Sequence, residues 1–149
     1  EFKETFEYDL RYKRKKNDVL RSALKTIAAF LNADGGVLLL GVSDSGHIEG
    51  LQRDLDLLPQ RHRSNDRFEL KIRDYLQNRF QPSPIGRVTI SFEALDQKTV
   101  CKLDIKKSRE IIHLDKEVYV RDGNKTQKLE GRDLTGWILQ RSRREKADE

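Results

Sequence analysis

The chain has 149 residues, 30 Lys and Arg against 25 Asp and Glu, and a formal charge of +5 with a sequence pI of ≈ 9.4. That length fits one domain able to bury a core without staples. The single cysteine, Cys101, excludes an internal disulfide, and the longest apolar stretch, residues 37–40 and their neighbours, is too short to cross a bilayer.

Residues 5–12 alternate weakly, with Phe6, Tyr8, Leu10 and Tyr12 on one side, and predict an edge strand whose opposite side carries Glu7, Asp9 and Arg11. A dense basic run follows at residues 11–16. Asn17 or Asp18 can cap the next helix, and Leu20, Ala23, Leu24, Ile27, Ala28 and Leu31 recur at helical spacing. Gly35 and Gly36 end that helix. Residues 37–42 are apolar without alternation and predict a central strand covered on both faces. Asp44-Ser45-Gly46 is turn chemistry, with a short returning strand expected at residues 47–50.

Leu55, Leu57 and Leu58 suggest one helical turn before Pro59. Asp66, with Glu69 in capping-box position, opens a second helix marked by Phe68, Ile72, Tyr75, Leu76 and Phe80, which Pro82 and Pro84 end. Val88, Ile90 and Phe92 alternate, as do Cys101, Leu103 and Ile105 beyond a turn at Asp96-Gln97. Residues 111–114 and 118–121 are short strand candidates, the second closed by Asp122-Gly123. Leu134, Trp137 and Ile138 mark a terminal helix, and the charged tail over residues 142–149 is expected to fray. The predicted fold class is α/β, a compact mixed sheet with packed helices. Residues 1–149 form a single domain, and the first residue, Glu, is read as the start of a fragment of a longer protein.

Several chemistries find no support in the residue order. There is no GxxxxGK[ST] phrase and no complete dinucleotide fingerprint, so ATP hydrolysis is not expected. His47, His62 and His113 lack zinc-ligand spacing, and Cys101 reads as a small core hydrophobe. Asn32 and Asp34 are assigned first to helix termination and loop bonding. Tyr8, Tyr12, Tyr75 and Tyr119 could stack on exposed bases, with packing as their default role.

One phrase is distinctive: Ala29-Phe30-Leu31-Asn32-Ala33-Asp34-Gly35-Gly36, then Gly41-Val42-Ser43-Asp44, Gly46 and Gly50, and later Tyr119-Val120-Arg121, Gly123 and Thr126. It resembles the Schlafen AlbA_2 family, also described as a divergent AAA-4 or Alba-like DNA-binding domain. The family's N-terminal Glu-Phe-Lys strand is placed on Glu7-Tyr8-Asp9, with Asp9 where the family has Lys. The resemblance implies a mixed α/β fold that binds DNA or RNA, DNA slightly ahead, in a regulatory or defence protein fused to further domains. It also implies an alternative, a metal-dependent nuclease or endoribonuclease. That site would use Glu7 and Asp44 as catalytic acids and metal ligands, with Glu4, Glu1 or Asp9 as a third. Binding needs no cofactor, whereas cleavage would need Mg²⁺ or Mn²⁺, hard cations that take oxygen ligands. A third reading is a homodimerising assembly domain.

The residues expected to meet phosphate are Arg11, Lys13, Arg14, Lys15 and Lys16, then Arg121, Lys125 and Lys128 around the Asp-Gly turn, and Lys106 and Lys107 beside Arg109. Solvated charge is the competing explanation for each. The expected partner is DNA or RNA and no membrane, in an intracellular, cytoplasmic or nucleoid-associated, setting, with transcription regulation as the role.

Overall fold

The computed structural model describes residues 1–148, and Glu149 lies outside the described residues. Its elements in chain order begin with strands β1 (Phe2–Lys3), β2 (Tyr8–Asp9) and β3 (Arg14–Lys15), helix α1 (Asn17–Asn32) and strand β4 (Gly36–Leu40). Helices α2 (Gln52–Leu55) and α3 (Asn65–Arg79) follow, then β5 (Phe80–Gln81), β6 (Val88–Leu95), β7 (Lys98–Ile105), β8 (His113–Leu114), β9 (Val118–Asp122), β10 (Lys125–Leu129) and helix α4 (Gly131–Ala147). The main sheet has the order β1-β4-β7-β6, with β1 parallel to β4 and the other pairs antiparallel. The expected mixed α/β sheet with packed helices is therefore present.

Helix α1 is the centre of the molecule. From Ala23 to Asn32 every residue except Lys25 is buried, as expected of a helix enclosed on several sides. Its apolar side chains join Leu38 and Leu40 of β4, Leu103 and Ile105 of β7, and Phe68, Ile72 and Leu76 of α3 in one core. Strand β9 crosses its other flank. Asn32 fastens this flank: its amide donates to the carbonyls of Ile112 and Tyr119, both at 2.9 Å, and accepts from the Ile112 N–H at 2.8 Å. Its structural assignment from sequence holds. Gly35, at φ +79°, turns the chain out of α1; a Cβ there would sit 2.4 Å from the Ile105 carbonyl oxygen.

Several local expectations shift. The strand expected over residues 5–12 divides. Phe2–Lys3 forms the sheet edge, whereas Tyr8–Asp9 leaves the sheet and pairs with Arg14–Lys15 as a separate ribbon. Lys16, not Asn17 or Asp18, occupies the N-cap position of α1 and makes no side-chain cap; Asp18 lies in the first turn, where its charge complements the helix dipole. Ser64, not Asp66, caps α3 by accepting the Arg67 N–H at 3.2 Å. The return expected at residues 47–50 is one bridge, Val42 to Ile48.

Strand β4 is covered on one face only. Val37, on the other face, is 39% exposed beside the equally exposed Phe2. An unalternating apolar run therefore does not mark a doubly covered strand here, since Val37 stays exposed while Leu38 and Leu40 are buried. The turn at Asp96-Gln97 appears as read, with both residues at positive φ, the geometry that suits a two-residue hairpin. Helix α4 runs to Ala147, past the point where fraying was expected. Arg141 anchors the helix just before that tail: its buried guanidinium donates to the Asn32 carbonyl at 2.7 Å and to the Ser108 carbonyl, and it lies over the Trp137 ring.

Candidate nucleic-acid interface

The basic run at residues 11–16 is the tip and return strand of the β2–β3 ribbon. Asp9 builds the turn by accepting the N–H groups of Arg11 and Tyr12, each at 2.8 Å. The Tyr12 N–H bond, then that from Arg11, hold the Asp9 carboxyl below its ordinary value against the opposing effect of burial. Lys13 takes φ +53° at the tip. Two of the run's cations are neutralised locally, Lys15 by Glu7 at 3.2 Å and Lys16 by Asp9 at 3.8 Å. Among the described residues, Arg11, Lys13 and Arg14 have no carboxylate within ion-pair distance, and all three are exposed.

The ribbon is anchored from beneath. Asp54, buried in α2, receives the N–H groups of Phe6, Glu7 and Tyr8 at 2.8, 2.9 and 3.1 Å. Burial pushes its carboxyl above the ordinary value, and the three donors oppose that rise. Sequence reading overlooked Asp54, because nothing local to residues 52–55 points to a partner more than forty residues earlier.

Glu7 is fully enclosed. Its carboxylate accepts from the Tyr75 hydroxyl at 3.0 Å and pairs with Lys15 and Lys71. Burial and the Glu7 charge push the Tyr75 phenol well up, which keeps it a donor. The other carboxylates considered for metal are engaged or exposed. Asp9 holds its turn, Glu4 pairs with Arg53 at 3.6 Å, and Asp44 is exposed on the residue 43–47 turn. Among the described residues, no group of three or more His, Cys, Asp or Glu side chains could hold a metal ion. A carboxylate already matched by two ammonium groups and a phenol does not suit Mg²⁺ or Mn²⁺, so the Glu7 and Asp44 pair does not form a built donor set.

The literal Glu-Phe-Lys of this chain is Glu1-Phe2-Lys3, and these residues, rather than Glu7-Tyr8-Asp9, lie beside the Gly-Val strand. The identity of the three letters was the available signal. Lys3 donates to Ser22 of α1 at 2.9 Å, and Glu1 accepts from Arg121 of β9 at 2.8 Å. Together they border a cleft of ≈ 480 Å³ between β1, α1 and the β9–β10 hairpin. Five cations line it, Lys3, Arg21, Lys25, Arg121 and Lys128, against the carboxylates of Glu1 and Glu117. Lys25 enters through the polar gap in the otherwise buried stretch of α1 and lies 5.5 Å from the centre of the Tyr119 ring.

Glu117 regulates the charge of this cleft. It accepts from Tyr119 at 2.5 Å and pairs with Lys128 at 3.0 Å and Arg21 at 3.2 Å. The Tyr119 and Lys128 bonds lower its carboxyl to about 2. Arg121 lies over the Phe30 ring and donates to Thr126 at 3.2 Å.

The residues expected at the interface thus divide. Arg121 and Lys128 share the cleft with three cations that sequence reading did not select, Lys3, Arg21 and Lys25. Arg11 to Lys16 form the ribbon, which leads directly into α1; Arg21 follows Lys16 by roughly 8 Å of helix axis. Lys107 instead lines a second cleft with Arg144 on the opposite face of the β9–β10 hairpin. Lys106 and Lys125 are exposed outside both clefts.

Comparison with solved structures places this architecture among known folds. The DIP2311 protein from Corynebacterium diphtheriae superposes with a TM-score of 0.52 at 16% identity over 84% of this chain, which spans 19% of that protein's length. The N-terminal domain of a RecG-related protein from Nitrosomonas europaea gives a TM-score of 0.48 at 21% identity, covering 74% of this chain and 76% of that one. The family described as Schlafen, AlbA_2 matches residues 1–130, from the β1 edge strand through the β9–β10 hairpin. With that match over most of its length, the chain belongs to the Schlafen AlbA_2 family.

Proposed function

We propose that this domain binds nucleic acid through its phosphate backbone, as the binding part of a larger regulatory or defence protein. The observation that carries the reading is the cleft between β1, α1 and the β9–β10 hairpin, where five cations face two carboxylates. Three elements distant in sequence supply those cations, so the fold itself concentrates positive charge there. The Arg11, Lys13 and Arg14 side chains at the ribbon tip form a second group of cations with no carboxylate within ion-pair distance among the described residues. Arginine and lysine contacts to phosphate position a polyanion without reading its sequence, and each releases counterions.

The test is a titration of labelled DNA and RNA probes, single-stranded and duplex, between 50 and 200 mM salt. Affinity that falls steeply with salt, and falls further in a Lys3→Glu, Lys25→Glu double variant, is expected. Absent binding, or binding indifferent to salt, would remove the proposal.

A second reading, homodimerisation, draws on the uncovered sheet face with its half-exposed Phe2 and Val37. A solution mass equal to one chain at high concentration would dismiss it.

A further inference from the structure

Tyr12 occupies an unusual position for a tyrosine. It stands at the tip of the β2–β3 ribbon, 50% exposed, with Leu10 beside it at 43%. Three cations gather around its ring: the Lys16 ammonium 4.2 Å from the ring centre, and the Arg11 and Arg14 guanidiniums at 5.5 and 5.7 Å. An aromatic ring placed for packing would be covered, whereas this one projects from a short ribbon.

The backbone that carries the ring is held by hydrogen bonds. Asp9 fixes the N–H of Tyr12 itself, Lys16 donates its backbone N–H to the Glu7 carbonyl at 3.0 Å, and Asp54 holds the three residues entering the ribbon. The cost of ordering the backbone beneath the π surface is therefore met during folding, before any ligand arrives. The Arg11 and Arg14 guanidiniums lie over the ring but have no carboxylate within ion-pair distance among the described residues, so a base can replace them on the ring while they and the adjacent Lys13 turn to its flanking phosphates. A π face bordered by cations at phosphate-contact range is the arrangement that receives unpaired nucleotides, because every base offers a face to stack and every linkage a charge. In a duplex the base faces are already stacked on each other and the tip reaches only the backbone.

We infer that Tyr12 is a stacking platform giving the domain a preference for single-stranded over duplex nucleic acid. This rests on the nucleic-acid reading above and adds the form of the ligand. The phosphate contacts of the cleft would serve either form, so the two ideas fail separately.

The experiment measures fluorescence anisotropy with four probes: a 12-nucleotide single strand of DNA, the same sequence as RNA, the matched DNA duplex, and a single strand of DNA carrying abasic sites. The proteins are the full chain, Tyr12→Ala and Tyr12→Phe, each checked for native circular dichroism. The expected result is that Tyr12→Ala weakens both intact single strands by roughly 5- to 150-fold, the effect of one lost base stack. Duplex affinity should change by less than about twofold, since Tyr12 is neutral and neutralises no phosphate charge. Tyr12→Phe should retain single-strand affinity, and the unsubstituted chain should bind the abasic strand about as weakly as Tyr12→Ala binds the intact one. Equal losses on single strand and duplex, or no loss on either, would overturn the inference while leaving the backbone-binding proposal standing. Failure of the unsubstituted chain to bind any probe would overturn both. A parallel titration with phosphatidylserine vesicles tests the other surface that a basic tip with Leu10 and Tyr12 could meet. Vesicle binding lost in Tyr12→Ala, without any single-strand preference, would also overturn it.

Discussion

Asp54 accepts the backbone N–H of Glu7 at 2.9 Å although the two residues are 47 positions apart. The contact belongs to a three-donor clasp on residues 6–8, so one side chain fixes the approach of the whole β2–β3 ribbon. The Glu7 carboxylate meets Tyr75, Lys15 and Lys71, which ties the same segment to α3 and β3.

Replacing Asp54 with Ala should therefore destabilise the domain severely. Buried donors left without acceptors each cost about 1–3 kcal/mol, and here three lose one acceptor group together. A loss of roughly 3 kcal/mol or more in urea unfolding is expected. Asp54→Asn should fall between, since an amide keeps one acceptor oxygen. Unfolding midpoints unchanged in Asp54→Ala would contradict the clasp.

Charge reversal should separate the free cations of the ribbon from the paired ones. An Arg11→Glu, Lys13→Glu, Arg14→Glu triple variant should keep its stability and lose affinity for every probe. It should also flatten the salt dependence by roughly two units of logarithmic slope if three single-strand contacts disappear. Lys15→Glu should instead lower stability, because it places a second carboxylate beside Glu7. Denaturation curves and salt titrations on the same preparations check both halves.

Glu117 restrains Arg21 and Lys128 inside the cleft. Glu117→Gln should raise nucleic-acid affinity, by roughly 3- to 10-fold at low salt, and steepen the salt dependence as two cations become available to phosphate. Affinity lowered by this substitution would place the polyanion elsewhere.

The same residue sets a pH response. Its carboxyl is lowered to about 2 in the folded chain from an ordinary 4.5. The folded state thus binds fewer protons than the unfolded state across that interval. The stabilisation is fully present above about pH 4.5 and is lost as the pH falls towards 2. Acid unfolding followed by circular dichroism should be shallower between those values in Glu117→Gln than in the unsubstituted chain.

Asn32→Ala should loosen β8 and β9 from the end of α1, because three bonds to Ile112 and Tyr119 disappear together. About 2–4 kcal/mol of stability should be lost. Hydrogen exchange should accelerate first at Ile112, whose N–H loses its acceptor.

The helical stripe of residues 20–31, the alternation in β6 and β7, the turn at Asp96-Gln97 and the glycines after α1 were legible from sequence because each rests on interactions within a few residues. The family phrase around Asn32 and Gly36 was legible for the same reason, since helix end, turn and strand are contiguous. The ribbon at residues 8–15 was not, because an isolated alternating run looks alike in a sheet edge and in a two-stranded hairpin. Ser64 replaced Asp66 as a cap because both residue types suit the position and only backbone geometry distinguishes them.

By itself the sequence determined a mixed α/β chain with a basic segment before its central helix. The tertiary structure decided which charges act together. Arg121 meets Glu1 from 120 positions away and Arg21 meets Glu117 from 96, pairings that chain order leaves open. Coulomb attraction and desolvation depend on distance through space, so the composition of the cleft and the freedom of Arg11, Lys13 and Arg14 emerge only when β1, α1 and the β9–β10 hairpin have packed.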